Sequence, residues 1–280
     1  NMLIRFDILK KEGKNVFLYE VKAKSFNSNK DIFTDKRSKQ FIASKWTKYL
    51  YDIAYQAYVL QEYNPILVVM PYLTLVNKNS TVSVNGLNQR FKITKNYQGR
   101  VDVEVKNGTN LENVGNKILI DVDVAKEVAS IIDGSLSDKN TNKVDRLSFE
   151  EKIYLFKDSI INDQKLASRL DKECKKCEFR CSALPELKSG FEECWGVNYK
   201  YTDNFVFDVW SFKGADKAIK SGRIMMHELL EEDFKIVTED SMGLSKAARQ
   251  WLQVSMDKNQ SNEAYVDKDY LIRQMSKWKY

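Results

Sequence analysis

The chain has 280 residues, 43% of them apolar and 30% charged, with 45 Lys and Arg against 39 Asp and Glu and a single His. That length gives one large domain or two small ones with ample side chains for a core. Three Pro, eleven Gly and 12% aromatics exclude a collagen-like, linker-like or disordered chain. The longest apolar run, residues 66–72, is far below the ~18 residues of a membrane helix, and no basic-then-apolar leader opens the sequence. A soluble, cytoplasmic protein with no membrane partner is expected.

In chain order, residues 3–9 and 16–22 read as two strands joined by a polar, Gly-containing turn, which makes a hairpin. A polar loop at 25–39 leads into a helical pattern over 41–63, with Trp46, Tyr49, Leu50, Ile53, Tyr58 and Leu60 in helical register. Asn64-Pro65 stops it. Residues 66–70 then look like a strand buried on both faces, as in a parallel sheet. Residues 77–116 have the Gly/Asn punctuation of a β insertion, with strands at 91–94 and 101–105 and turns at Gln98-Gly99 and Asn107-Gly108. Asp123 is placed to cap a helix running to 132, and a polar connector follows over 134–142. Ser148 and Glu151 fit a capping box that starts a helix through 161. The carboxyl-terminal third is helical and amphipathic, and residues 205–224 with Gly243-Leu244-Ser245 have a helix-turn-helix rhythm. A Gly in such a turn can present backbone N–H groups to a phosphate, or it can simply cap a helix. The organisation expected is a core at 1–135 carrying the insertion, a helical connector and Cys segment at 136–200, and a helical region at 201–280.

Chemistry-bearing residues cluster early. Asp7 sits on the first strand, and Glu20-Val21-Lys22 on the second. A strand has a side-chain period of two, so Glu20 and Lys22 share a face, and the hairpin brings Asp7 alongside Glu20. Two carboxylates at a sheet edge suit Mg²⁺, and a neighbouring Lys can orient or deprotonate a water or stabilise charge on a phosphate. Glu104-Val105-Lys106 repeats the short pattern, but the strand before it, residues 91–95, has no acid. Lys22, Lys24, Lys30, Lys36, Arg37, Lys39, Lys45 and Lys48 are opposed over this stretch only by Asp31 and Asp35. Charge alone favours a solvated loop in a Lys-rich chain over phosphate binding.

The four cysteines all lie in Cys174-x2-Cys177-x3-Cys181-x12-Cys194. Such confinement in a chain otherwise free of Cys points to metal ligation rather than disulfides, and four thiolates suit Zn²⁺ or a [4Fe–4S] cluster equally by count. Lys172, Lys175, Lys176 and Arg180 surround these positions, where they would offset thiolate charge or touch DNA. His227 lies on an apolar helical pattern and reads as structural or surface.

Arg5-Phe6-Asp7-Ile8, Tyr19-Glu20-Val21-Lys22-Ala23-Lys24-Ser25 and residues 52–60 together resemble the RecB-like branch of the PD-(D/E)XK nucleases, over about the first 75 residues. The resemblance implies a restriction-endonuclease-like α/β fold, a mixed sheet flanked by helices, and Mg²⁺- or Mn²⁺-dependent hydrolysis of DNA. It assigns Asp7 and Glu20 to the metal, Lys22 to the attacking water and Gln56 to the helix motif. It makes Lys24, Lys36, Arg37, Lys45 and Lys48 candidates for DNA contact. The family's Tyr four residues after the Gln is Leu60 here, and Asp52 shares the Gln56 face as a substitute polar partner. The family's leading helix and strand are not in the sequence, so a piece of a longer polypeptide is expected. Iron–sulfur staples in related nucleases favour a [4Fe–4S] cluster slightly, although one of their cysteines precedes the core. The Cys segment with Ser189-Gly190-Phe191 is similar to uncharacterised bacterial proteins that join a RecB-like module to a downstream DnaQ-like exonuclease domain, and residues 267–280 resemble the lead-in to that domain. The expected function is a DNA nuclease module of repair, processing or defence. The alternatives are a non-catalytic DNA-binding scaffold serving a separate exonuclease domain, and a protein-docking domain.

Overall fold

The computed structural model describes residues 2–97, 99–138, 147–168, 170–181, 188–236, 244–261 and 263–278. It divides into two compact units, Asn1–Lys165 and Leu166–Tyr280. The first is mixed α/β: a mixed sheet flanked by helices.

Strands β1 (Ile8–Glu12) and β2 (Asn15–Phe26) form the expected hairpin. The turn is tighter than composition suggests. Glu12 pairs with Asn15, so only Gly13 and Lys14 are left to reverse the chain, and Gly13 takes φ +61°. Positive φ at the first central position alone is the pattern of a type II′ turn. The strand expected at 3–9 begins only at Ile8, which leaves Asp7 just ahead of it.

Helix α1 (Thr47–Tyr63) crosses over and returns the chain as β3 (Val68–Asn77), which pairs parallel to β2. The helix starts later than the periodicity predicts, because Phe41 and Ile42 are held in isolated bridges to Ser137 and Thr34. Strand β6 (Leu119–Asp123), an element not expected from the sequence, pairs antiparallel with β3 and completes the order β1-β2-β3-β6. Helix α2 (Ala125–Ile132) follows, with the Asp123 carboxylate accepting from the Ala125 N–H at 2.8 Å. Burial on both faces of β3 holds for Leu73–Leu75 rather than for 66–70; Ile66 is 64% exposed. Leu73 and Leu75 lie on the face covered by α1 and α2, and Ile66 and Val68 precede that cover.

That covered face carries Val16 and Leu18 of β2 and Leu73 and Leu75 of β3. They meet Leu50, Ile53, Ala54 and Ala57 of α1 and Val128 and Ile131 of α2 in one core. Along β2 the even-numbered residues face this core, from Val16 to Phe26. Between Val21 and Ser25 the β2–β3 register shifts: β2 advances four residues while β3 advances two. Helix α3 (Phe149–Ile161) packs Phe149 and Ile153 into the same core, so it belongs to the first unit. Strands β4 (Phe91–Lys95) and β5 (Val101–Val105) make the expected insertion hairpin, a separate two-stranded sheet. Gln98 and residues 139–142 of the connector lie outside the described residues.

The second unit packs Phe191, Trp195, Phe205, Phe207, Met226, Leu229, Phe234 and Val254 into its own core. Helices α4 (Gly190–Trp195), α5 (Ala215–Lys220), α6 (Lys246–Lys258) and α7 (Lys268–Met275) are linked by turns. A helix-turn-helix over 205–224 does not form. Val206–Asp208 is a single 3-10 turn, and Phe205 bridges to Met225. Gly222, at φ +84°, follows the C-cap of α5, which is the capping role. Gly243 lies outside the described residues. Among the described residues no helix is long and apolar enough to cross a membrane.

The capping box at the start of α3 forms as the sequence predicts. The Glu151 N–H donates to Ser148 Oγ at 3.1 Å, and the Ser148 N–H donates to the Glu151 carboxylate at 2.7 Å. Ser148→Ala is expected to cost the first unit about 1 kcal/mol in urea denaturation. The Ser148 N–H, with its hydroxyl, holds the Glu151 carboxyl below its ordinary value of 4.5. The contribution of Glu151 is therefore fully present above that pH and fades as pH falls through the depressed value, and Glu151→Gln is expected to flatten this acid limb in the same denaturation assay.

Candidate active site

Glu20 continues the alternation that buries Val16 and Leu18, so its carboxylate points toward α1 and is only 5% exposed. A carboxylate in that position needs charge and hydrogen-bond partners. Two turns of α1 supply them through residues four apart, Asp52 and Gln56, which rise on one face. Gln56 Nε2 donates to Glu20 Oε2 at 2.9 Å and to Asp52 Oδ1 at 3.1 Å. Lys22 Nζ donates to Glu20 Oε1 in a close ion pair and to Asp52 Oδ2 at 2.8 Å. Glu20, Lys22, Asp52 and Gln56 thus close a ring of alternating donors and acceptors.

Partial burial acts against the charged form of Lys22, but its hydrogen bonds to Asp52 and Glu20 outweigh it and hold the ammonium above its ordinary value. Burial likewise opposes the charge on Asp52, and the hydrogen bonds from Lys22 and Gln56 overcome it, keeping that carboxyl below its ordinary value. Lys22 is therefore a fixed cation at neutral pH. It can orient or stabilise anionic oxygen, and in this arrangement it is not a base for water. Gln56 contacts the two carboxylates rather than Lys22. Its Oε1 is buried with no hydrogen-bond partner among the described residues, although the side chain is 96% buried.

Asp7 joins this group from the exposed side. Continuing the β1–β2 register places it opposite Glu20, and its Oδ2 accepts from the Val21 N–H at 2.8 Å. Its Oδ1 has no partner among the described residues. The decoy Glu104 stands on an exposed hairpin, 3.3 Å from Lys92 across the strands.

Among the described residues no set of three or more His, Cys, Asp or Glu is placed to hold a metal ion. A Mg²⁺ site that draws on substrate phosphates and waters needs only one or two carboxylates, and Asp7 with Glu20 offers that hard-oxygen pair. Asp7 Oδ1 and the remaining lone pairs on the hydrogen-bonded oxygens of Asp7 and Glu20 are the donors such an ion would take.

The cysteines do not fit a four-thiolate centre as placed. Cys174 and Cys177 share one 3-10 turn, Cys181 donates to its neighbour Phe179 O, and Cys194 on α4 accepts from Ser168 Oγ at 3.3 Å. All four are free thiols, and residues 182–187 lie outside the described residues. Burial pushes the Cys174 thiol up. Arg180 is engaged within the second unit. Its guanidinium is bidentate to Asp208 at 2.8 and 2.7 Å, donates to the Tyr201 and Asp203 carbonyls, and lies over Phe191, Phe205 and Phe207. Lys172 is paired with Asp216. His227 is half exposed, 3.9 Å from Asp257.

Of the basic candidates, Lys24, Lys45 and Lys48 gather at the edge of Trp46 and Tyr49. Lys45 is also paired with Asp31. Lys36 and Arg37 are exposed on the loop before them and do not join that cluster.

Because Glu20 is buried, the two halves of its ion pair are expected to differ in cost. Lys22→Met leaves the carboxylate without its cation and is expected to destabilise the unit by about 3 kcal/mol, whereas Glu20→Gln removes the charge and is expected to cost about 1 kcal/mol or less. Urea denaturation of both variants measures the difference.

No family model matches the chain, and no curated protein or solved structure is significantly similar to it.

Proposed function

We propose that the first unit is a Mg²⁺- or Mn²⁺-dependent DNA phosphodiesterase centred on Asp7, Glu20, Lys22 and Gln56. One observation carries the reading. On a sheet face otherwise packed with Val, Leu and Ile, two carboxylates, an ammonium and an amide converge, with a third carboxylate, Asp7, on the neighbouring strand's approach. A network of this kind stabilises a fold less well than apolar packing of the same volume, so its presence argues for chemistry.

Asp7 and Glu20 would hold the metal ion. When bound, the ion supplies Lewis-acid polarisation of the phosphate and a more acidic water. Lys22 holds a positive charge beside Glu20, where it stabilises anionic oxygen developing on a phosphate. Gln56 and Asp52 act at one remove, fixing the Glu20 carboxylate and the Lys22 ammonium in place. The buried Gln56 Oε1 is free to accept from a water drawn into the site.

The test is cleavage of end-labelled single- and double-stranded DNA with Mg²⁺ or Mn²⁺. Glu20→Gln, which keeps the shape of the site, is expected to lose at least a hundredfold in rate. A second reading, a DNA-binding scaffold without catalysis, is favoured by one observation: both Glu20 oxygens already accept hydrogen bonds from protein groups. DNA that is bound but never cut under either metal decides for it.

The confinement of all four cysteines to residues 174–194 supports a separate proposal, that this segment takes up zinc or a [4Fe–4S] cluster after rearranging from the geometry described. Metal analysis of anaerobically purified protein tests it. Brown protein containing iron and acid-labile sulfide identifies the cluster, colourless protein with stoichiometric zinc identifies zinc, and protein with neither removes the proposal.

A further inference from the structure

Next to the Glu20–Lys22 network lies a groove that the hydrolysis reading leaves unused. Lys24 of β2, Lys48, Tyr49 and Tyr51 at the start of α1, and Lys152 and Phe156 of α3 line a concavity of about 630 Å³. Ammonium groups and aromatic rings alternate along it: Lys24 Nζ stands 5.3 Å and Lys48 Nζ 5.0 Å from the Tyr49 ring centre. The same Tyr49 ring lies 6.0 Å from Lys22 Nζ, so this one side chain joins the groove lining to the network. Phe156 is an apolar ring 56% exposed on the outer face of a helix, and Asp138 is the one carboxylate among the described lining residues.

We propose that this groove seats a single-stranded DNA segment and delivers it to Lys22. The proposal rests on the nuclease reading for the nature of the strand. Phosphates are attracted by the field of Lys24, Lys48 and Lys152. Exposed aromatic faces stack with bases only where the bases are unpaired and turned outward, as in single strands. A duplex hides its base faces. Lys152 and Phe156 come from a helix outside the segment that carries the hairpin residues and the basic stretch, which is why the sequence alone did not associate them with it.

Fluorescence anisotropy with labelled oligo-dT and with a duplex of equal length, in EDTA so that nothing is cut, tests the assignment. The single strand is expected to bind at least tenfold more tightly than the duplex. Phe156→Ala, at an exposed position, is expected to weaken single-strand binding about tenfold and leave duplex binding unchanged. Lys48→Glu with Lys152→Glu is expected to weaken binding further and flatten its salt dependence. Circular dichroism checks that both variants are folded. Equal affinity for duplex and single strand, or folded variants that bind as wild type does, overturns the proposal. The cleavage assay fails or succeeds separately: a protein that binds single strands through this groove but cuts none keeps the groove and loses the hydrolase.

Discussion

A charged carboxylate on the helix-covered face of a sheet is tolerable only if a cation and a hydrogen-bond donor reach it, and that requirement organises the first unit. Glu20 occupies a position that the β2 alternation would otherwise give to an apolar side chain. Its burial dictates what α1 presents, namely an amide at Gln56 and a carboxylate at Asp52 that holds the far side of Lys22. Remove the cation and the buried charge stands uncompensated in a low-dielectric site, where it costs far more than at the surface.

The same helix therefore does two jobs with interleaved residues. Leu50, Ile53, Ala54 and Ala57 fix it against β2 and β3, and the positions between them carry the polar network. Fixing the helix by close packing fixes Asp52 and Gln56 as well, so the site is held by the core rather than by loops. Tyr49 extends the arrangement outward, since one ring faces both the network cation and the groove lysines.

Much of this geometry was legible in the sequence where a local period decides it. The hairpin, the convergence of Glu20 and Lys22, the sharing of a face by Asp52 and Gln56, and the Ser148–Glu151 capping box all follow from periods of two, or from spacings of three and four. Most of what differed depended on distant partners. The late start of α1 reflects Phe41 and Ile42 pairing with other segments. The burial of β3 shifted toward Leu73–Leu75 because helices cover that end. Arg180, which its sequence neighbours set beside the thiolates or DNA, takes Asp208, 28 residues on, as its partner. Strand β6 was a missed local signal, since Ile120 and Val122 alternate with Asp121 and Asp123.

The two extra residues that β2 gains on β3 between Val21 and Ser25 have an evolutionary corollary. An even offset keeps inside residues inside: Glu20 sits across from Leu73, and Phe26 still reaches the core after the irregularity. An odd offset would have exchanged the two faces, exposing Phe26 and driving Ser25 into the interior. Length change in this stretch is therefore quantised. Pairs of residues can be added or lost beside the network while the framework is preserved, whereas any single insertion or deletion there reverses every side chain that follows it.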